Sequence, residues 1–307
     1  MIGTSTAATR ITEPGKGALM LPSRFDYHRA SSVDEALSLL DQYGEDAKVL
    51  AGGQSLIPLM KLRFAAPAHL IDINPISGLD SIEERNGYLA IGALVRHHQL
   101  VSSETIAKGY PTLAAAAPQI ADPIVRNLGT IGGSLAHADP AGDLGSVMLS
   151  MGASVVLRSS AGERVAPIGE FLVDTFTTSI TPNELLTEIR VPTPPPRSGG
   201  TYLKLERKVG DFATVAVAVT LSLEDGAVGG AGIALTGVGL KNIEAAEAAA
   251  SLRGAAPTDE AFAEAGRLAA AASNPVSDVR GSDTYKRHMV EVYTRRGLAT
   301  ASAMAAG

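Results

Sequence analysis

Two glycine pairs about eighty residues apart constrain this 307-residue chain more than any other feature. The first lies in Ala51-Gly52-Gly53-Gln54-Ser55 and the second in Thr130-Ile131-Gly132-Gly133-Ser134. Each adjoins a short apolar stretch and ends in a hydroxyl residue able to open a helix or turn. Adjacent glycines leave φ > 0 open and put no Cβ in the way, so neighbouring backbone N–H groups can converge on one point. Converging amides beside a helix start hold phosphate. Either pair alone reads equally well as an ordinary turn, since short motifs often match by chance. The two together point to a diphosphate held from two sides.

The chain is long enough for two domains. With 45% hydrophobic and 19% charged residues, a packed core is expected. The formal net charge is −6 and no basic block stands out, which argues against nucleic acid as a partner. No apolar run reaches membrane-spanning length and no signal peptide is visible, so the cytoplasm is the expected location. Cysteine is absent. That excludes thiolate-ligated iron–sulfur clusters, a catalytic thiol and disulfides on this chain.

Residues 1–21 lack useful periodicity and read as a flexible N-terminal extension. Ser32-Val33-Asp34-Glu35 is a capping box opening a helix that reaches Tyr43 and stops at Gly44. Residues 47–50 form a short strand feeding the first glycine turn, and Ser55 is positioned to cap the next helix. Residues 69–73 read as a strand, and Asn86-Gly87 joins 81–85 to 88–92 as a hairpin. Residues 112–120 read as helix, 121–129 as a loop, 144–151 as helix, 153–157 and 164–167 as a hairpin, and 185–191 as a strand. The mixed order indicates an α+β fold rather than a βαβ repeat. Residues 192–200, rich in proline and glycine, form the best linker candidate. Beyond it come three antiparallel strands (202–208, 214–223, 227–235) and helices at 242–252, 259–271 and 283–301, a sheet covered by helices on one side.

Competing nucleotide motifs fail. There is no P-loop run, and Gly237-Val238-Gly239 has Asn242 at the third Rossmann position. His97-His98 invites a metal reading, but adjacent histidines diverge on a helix and no partner is spaced for a metal, so a surface or packing role is expected. His137 is a weak candidate for proton handling, and Arg126 is expected to anchor the loop before Gly129.

The run from Ala51 to Lys61 resembles the first FAD loop of the medium, flavin-carrying subunit of the molybdenum hydroxylases. Thr130-Ile131-Gly132-Gly133-Ser134, followed by Asp139-Pro140 and Asp143, resembles the second. Lys204-Leu205-Glu206-Arg207-Lys208-Val209-Gly210-Asp211-Phe212-Ala213 resembles the third marker. Nearly the whole chain, from about Pro22 to about Arg296, fits in order and spacing, with the carbon monoxide dehydrogenase branch the most similar. The resemblance implies a two-lobed FAD-binding domain of the PCMH type at 22–197 (lobes 22–77 and 78–197), then a C-terminal sheet-plus-helices domain at 198–307.

It also implies one non-covalent FAD, Gln54 standing where relatives often carry histidine and Ser134 where they often carry asparagine. By resemblance the cofactor-binding residues are Ala51, Gly52, Gly53, Gln54, Ser55, Thr130, Ile131, Gly132, Gly133, Ser134, Asp143, Leu186, Lys204 and Phe212. Asp143 would bind the ribityl chain; it also reads as a helix N-cap before Leu144. Lys204 would place a cation near the flavin; alone it reads as part of an exposed strand face. Phe212 would lie against the isoalloxazine; otherwise it is a core residue opening a strand. The molybdenum cofactor and [2Fe-2S] clusters would sit on a large and a small partner chain, in a dimer of heterotrimers reaching the membrane only through its electron acceptor. The implied reaction is oxidation of carbon monoxide with water. The alternatives are another molybdenum hydroxylase acting on a purine, aldehyde or N-heterocycle, a self-contained FAD oxidoreductase, or a nucleotide-binding assembly protein without redox activity.

Overall fold

The computed structural model describes residues 21–307. The expected N-terminal extension lies outside the described residues except for Leu21.

The first unit is a three-stranded parallel sheet of β1 (Asp26–Arg29), β2 (Ala47–Leu50) and β3 (His69–Asp72), in the order β1-β3-β2. Helix α1 (Val33–Tyr43) packs Ala36, Leu37 and Leu40 against it. The Ser32 hydroxyl accepts from Glu35 N at 3.1 Å, as the capping box requires. The Glu35 carboxylate, however, turns back one residue further, to Ser31 N and Ser31 Oγ at 2.8 and 2.6 Å. Gly44 ends the helix with φ 52°. Helix α2 (Leu56–Lys61) follows the first glycine turn.

The second unit is an antiparallel sheet ordered β4-β5-β10-β6-β7. Its strands are β4 (Ile82–Arg85), β5 (Tyr88–Gly92), β6 (Ser154–Ser159), β7 (Gly162–Pro167) and the late-arriving β10 (Leu185–Pro192). A small pair, β8 (Leu172–Asp174) and β9 (Thr177–Thr178), stands apart. The same unit contains α3 (His97–Ser102), α4 (Glu104–Gly109), α5 (Pro111–Ala116), α6 (Pro123–Leu128), α7 (Ile131–His137), α8 (Asp143–Ser150) and α9 (Ile168–Phe171). The expected loop at 121–129 therefore contains a helix. Asp122 caps it by accepting from Val125 N at 2.8 Å, and Pro123 takes the first position, where no N–H is needed.

The third unit is a four-stranded antiparallel sheet of β11 (Ser198–Leu205), β12 (Val215–Glu224), β13 (Ala227–Thr236) and β14 (Ile243–Glu244). The expected linker at 192–200 is thus partly strand at both ends. The expected helix at 242–252 splits into β14 and the short α10 (Ala246–Ala250). Helices α11 (Asp259–Ala272) and α12 (Asp283–Ala306) complete the unit.

Alternation along β12 explains how the units join. Val215, Val217 and Val219 enter a core with α11 and α12, whereas Ala216 and Ala218 enter the core of the preceding unit. Burying each valine contributes about 1.5–3 kcal/mol. The small face contributes closeness instead. A Cβ at Gly200 would overlap the Thr112 hydroxyl, and one at Gly232 would overlap Ser150 O. Thr112 Oγ1 donates to Val219 O at 2.9 Å and Thr220 Oγ1 to Ser150 O at 2.7 Å. The unit's own helices cover the sheet on one face, as expected, and α5 and α8 of the preceding unit cover the other. Among the described residues no helix is long and apolar enough to cross a membrane.

Candidate functional site

The first glycine turn leaves its donors open. No backbone N–H from Gly52 through Ser55 has an acceptor among the described residues. Gly53 holds φ 71°, where a side chain is strained. Gly52 is needed for a different reason: a Cβ there would overlap Leu128 O at the end of α6. Ser55 precedes α2, yet its side chain makes no cap bond, contrary to the expectation. Gln54 Nε2 donates to Gly52 O at 3.0 Å, which braces the turn from within.

Two residues not singled out from sequence anchor this turn. Asn74 Nδ2 donates to Ala51 O at 2.8 Å, and Arg96 donates to Asn74 Oδ1 at 2.6 Å and to Leu128 O. Along the chain Asn74 signals only the end of a strand, and Arg96 carries no signal at all.

The second glycine pair is not a loop. Gly132 and Gly133 lie in the first turn of α7, and neither has positive φ. Their amides are engaged. Ile131 N donates to Val95 O and Gly132 N to Ala93 O, both at 3.0 Å, and Gly133 N donates to Thr130 Oγ1 at 3.1 Å. The capping hydroxyl is therefore Thr130, and Ser134 sits inside the helix. This corrects the expectation that positive φ and free amides explain both pairs. Gly132 permits close approach, since a Cβ would stand 2.6 Å from that of Ala93. Gly133 is exposed, and a Cβ there would stand 3.9 Å from that of Ala51, so the two turns face each other.

The third marker meets the start of α8 through Lys204. Asp143 is the first residue of α8 and buried, with Gly142 as the N-cap, so the N-cap reading of Asp143 fails. Tyr202 Oη donates to Asp143 Oδ1 at 2.6 Å, and Lys204 Nζ stands 3.1 Å from the same oxygen. Lys204 also donates to Gln119 O at 2.9 Å and lies 3.4 Å from Glu206 Oε2. Its side chain is fully enclosed, which overturns the exposed-face reading. Burial pushes the Asp143 carboxyl upward, and the Lys204 ammonium and Tyr202 hydroxyl oppose that shift. Burial first, then the Asp143 charge, pushes the Tyr202 phenol well above its ordinary range. Glu206 Oε2 is buried without a hydrogen-bond partner.

Leu186 lies in the core on β10, opposite Leu157 and beside a bulge, in the strand on which α7 packs. Phe212 is 54% exposed in the loop between β11 and β12, so it is not the core residue one reading made it. His97 is buried under Gly129, and desolvation holds its imidazole down at about 4. No group of three metal-ligating side chains occurs among the described residues. His137 packs on Phe176 with ring centroids 4.9 Å apart. Arg126 Nη1 donates to the carbonyls of Pro118, Ile120 and Ala121, the anchoring role expected of it.

Open amides suit phosphate oxygens, a buried carboxylate suits sugar hydroxyls, and an exposed aromatic suits a planar ring. Comparison with known proteins defines the class. Residues 23–194 match the FAD binding domain in molybdopterin dehydrogenase, and residues 200–301 match the CO dehydrogenase flavoprotein C-terminal domain. The chain belongs to this family: it is an FAD-binding oxidoreductase subunit with the two-domain PCMH-type fold.

The carbon monoxide dehydrogenase medium chain of Afipia carboxidovorans is 42% identical, covering 93% of this chain and 99% of that one. The 6-hydroxypseudooxynicotine dehydrogenase complex subunit alpha of Paenarthrobacter nicotinovorans is also 42% identical, covering 92% and 96%. A solved carbon monoxide dehydrogenase from Hydrogenophaga pseudoflava, lacking the Mo-pyranopterin moiety of its cofactor, superposes with a TM-score of 0.90. It is 44% identical, over 93% of this chain and 99% of that one.

Proposed function

We propose that this chain holds one FAD non-covalently and is the electron-exit subunit of a molybdenum hydroxylase complex that oxidises carbon monoxide with water. In this reading the amides of Gly52, Gly53, Gln54 and Ser55 hold the diphosphate, with Ala51, Gly133 and Ser134 forming the facing wall. Thr130, Ile131 and Gly132 fix that wall. Asp143, held in place by Lys204 and Tyr202, accepts from the ribityl hydroxyls. Leu186 and Phe212 contact the ring. When bound, the flavin supplies one- and two-electron exchange. The chain's own residues hold it and orient it. Residues 22–197 form the flavin domain, in lobes 22–77 and 78–197, and 198–307 the C-terminal domain.

Electrons enter from partner chains, since this one has no cysteine to ligate a cluster. The partners are a large molybdenum-cofactor chain and a small [2Fe-2S] chain, arranged as a dimer of heterotrimers in the cytoplasm.

The observation that carries the reading is the run of unpaired amides from Gly52 to Ser55 beside Gly133. Acid denaturation of the purified protein should release free FAD. Flavin that stays on the denatured chain would contradict non-covalent binding. A colourless native complex would contradict the reading as a whole. One observation favours a second substrate. The subunit of the 6-hydroxypseudooxynicotine enzyme matches this chain as well as that of a carbon monoxide enzyme does. Flavin bleaching by carbon monoxide in the assembled complex, but not by an N-heterocycle, separates the two.

A further inference from the structure

The loop carrying Phe212 is fastened at both ends, although the phenyl ring itself is half exposed. On one side Gly210 takes φ 82° and lies against the chain leading into α6, where a Cβ would stand 2.7 Å from Ala121 O. On the other side stands Arg280, from the segment between α11 and α12. Its Nη1 donates to Phe212 O at 2.8 Å, and its Nη2 donates to Asp211 Oδ1 at 3.0 Å. The same carboxylate oxygen accepts from Phe212 N at 2.8 Å, and Arg207 Nε reaches Asp211 Oδ2 at 3.3 Å. Both backbone polar groups of Phe212 are therefore captured, one by Asp211 and one by Arg280.

Arg280 is itself held in place. Its N–H donates to Asp278 Oδ1 at 2.8 Å, and Asp278 Oδ2 pairs with the buried Lys286 at 2.8 Å. Asp278 and Gly281 exchange backbone bonds at 3.1 and 3.2 Å. A guanidinium fork fixed this way satisfies two acceptors in one plane, which a lysine cannot do. The Arg280 bond is the leading reason the Asp211 carboxyl sits down at about 2, so the clamp stays charged at any physiological pH.

Packing does not account for this clamp. Phe212 buries too little surface for its backbone to need such fixing, and the fastened segment presents the ring outward. We propose that Arg280 is a positioning residue that fixes the Phe212 ring against the bound flavin. This rests on the reading above, in which Phe212 contacts the isoalloxazine. An aromatic contact contributes only when its geometry is held, and a ring on a loose loop loses much of it to ordering entropy.

The test uses the purified complex, deflavinated and titrated with FAD, with visible circular dichroism of the bound flavin as the second readout. Phe212→Ala should weaken FAD binding about five- to tenfold and change the flavin dichroism. Arg280→Gln should change the dichroism in the same way and weaken binding by a similar or smaller factor. The double variant should be no worse than Phe212→Ala alone. Arg280→Lys, which keeps the charge and one bond, should lie between wild type and Arg280→Gln; it decides the matter if Arg280→Gln does not assemble. A silent Phe212→Ala would overturn the ring contact, and the proposal with it. A Phe212→Ala effect with a silent Arg280→Gln, or strictly additive losses in the double variant, would overturn the positioning role alone.

Discussion

At Gly52–Gly53 the backbone amides have no acceptor among the described residues, while at Gly132–Gly133 the amides are already bonded to Ala93 and Thr130. The same dipeptide does two different jobs. In the first turn glycine provides a positive φ at Gly53 and an open row of donors. In the second it lets a helix start close on a neighbouring strand end, with its amides bonded there. Whether a glycine pair leaves donors for a ligand is thus decided by the acceptors around it, not by the pair itself.

Among the substitutions, the largest expected loss of stability lies in the wall. Gly132→Val forces a Cβ to 2.6 Å from that of Ala93 and 2.7 Å from Ala93 O. Overpacking of this kind costs about 1–3 kcal/mol or more. Thermal unfolding should therefore show a lower midpoint, with flavin lost as a consequence. An unchanged midpoint would show that the wall is not rigid.

Gly53→Val should act oppositely, removing FAD while much of the fold survives. Hydrogen bonds to a charged group contribute about 1.5–3 kcal/mol each. Losing one or two weakens binding about ten- to a thousandfold or more. FAD titration of the deflavinated protein reads this directly, and retained affinity would remove the first turn from the site.

Acid should also separate the two turns, because His97 sits under Gly129 at the base of the wall. Its imidazole is held down from 6.5 to about 4 by burial, so between those values the unfolded chain binds the extra proton. Stability therefore falls as pH drops from 6.5 toward 4, by on the order of 3 kcal/mol across the window. Denaturant unfolding at pH 7 and pH 5 should show the loss, and His97→Gln should flatten the slope.

The smallest effect is expected at Gly133→Ala. The helical φ tolerates alanine, but the Cβ meets Thr130 Oγ1 at 2.7 Å and disturbs that cap. A loss of about 1 kcal/mol in stability is expected, with FAD affinity changed only a few-fold. A loss of flavin as large as at Gly53 would mean that the two turns share one role after all.

Local signals are legible in the chain. The Ser32 cap, the Gly44 stop and the Asn86-Gly87 turn all depend on neighbours within a few residues. What was illegible depends on distant partners. The glycines of the second pair are explained by Ala93 and by the Thr130 cap, and a doublet read along the chain gives no hint of the former. Lys204 looks like a surface strand residue until Asp143, 61 positions earlier, is placed beside it. The alanines of β12 resemble a tolerant outer face until α5 and α8 close over them. The family resemblance marks Gly132, Gly133 and Lys204 but does not say which amides are free.

The central claim is that the open amides of the first turn hold the FAD diphosphate while the second turn only frames it. Hydrogen–deuterium exchange of the deflavinated and FAD-loaded complex tests this residue by residue. The amides of Gly52, Gly53, Gln54 and Ser55 should exchange freely without FAD and become protected with it. Those of Ile131, Gly132 and Gly133 should be protected in both states. No gain of protection at Gly52–Ser55, or a gain confined to Ile131–Gly133, would contradict the account.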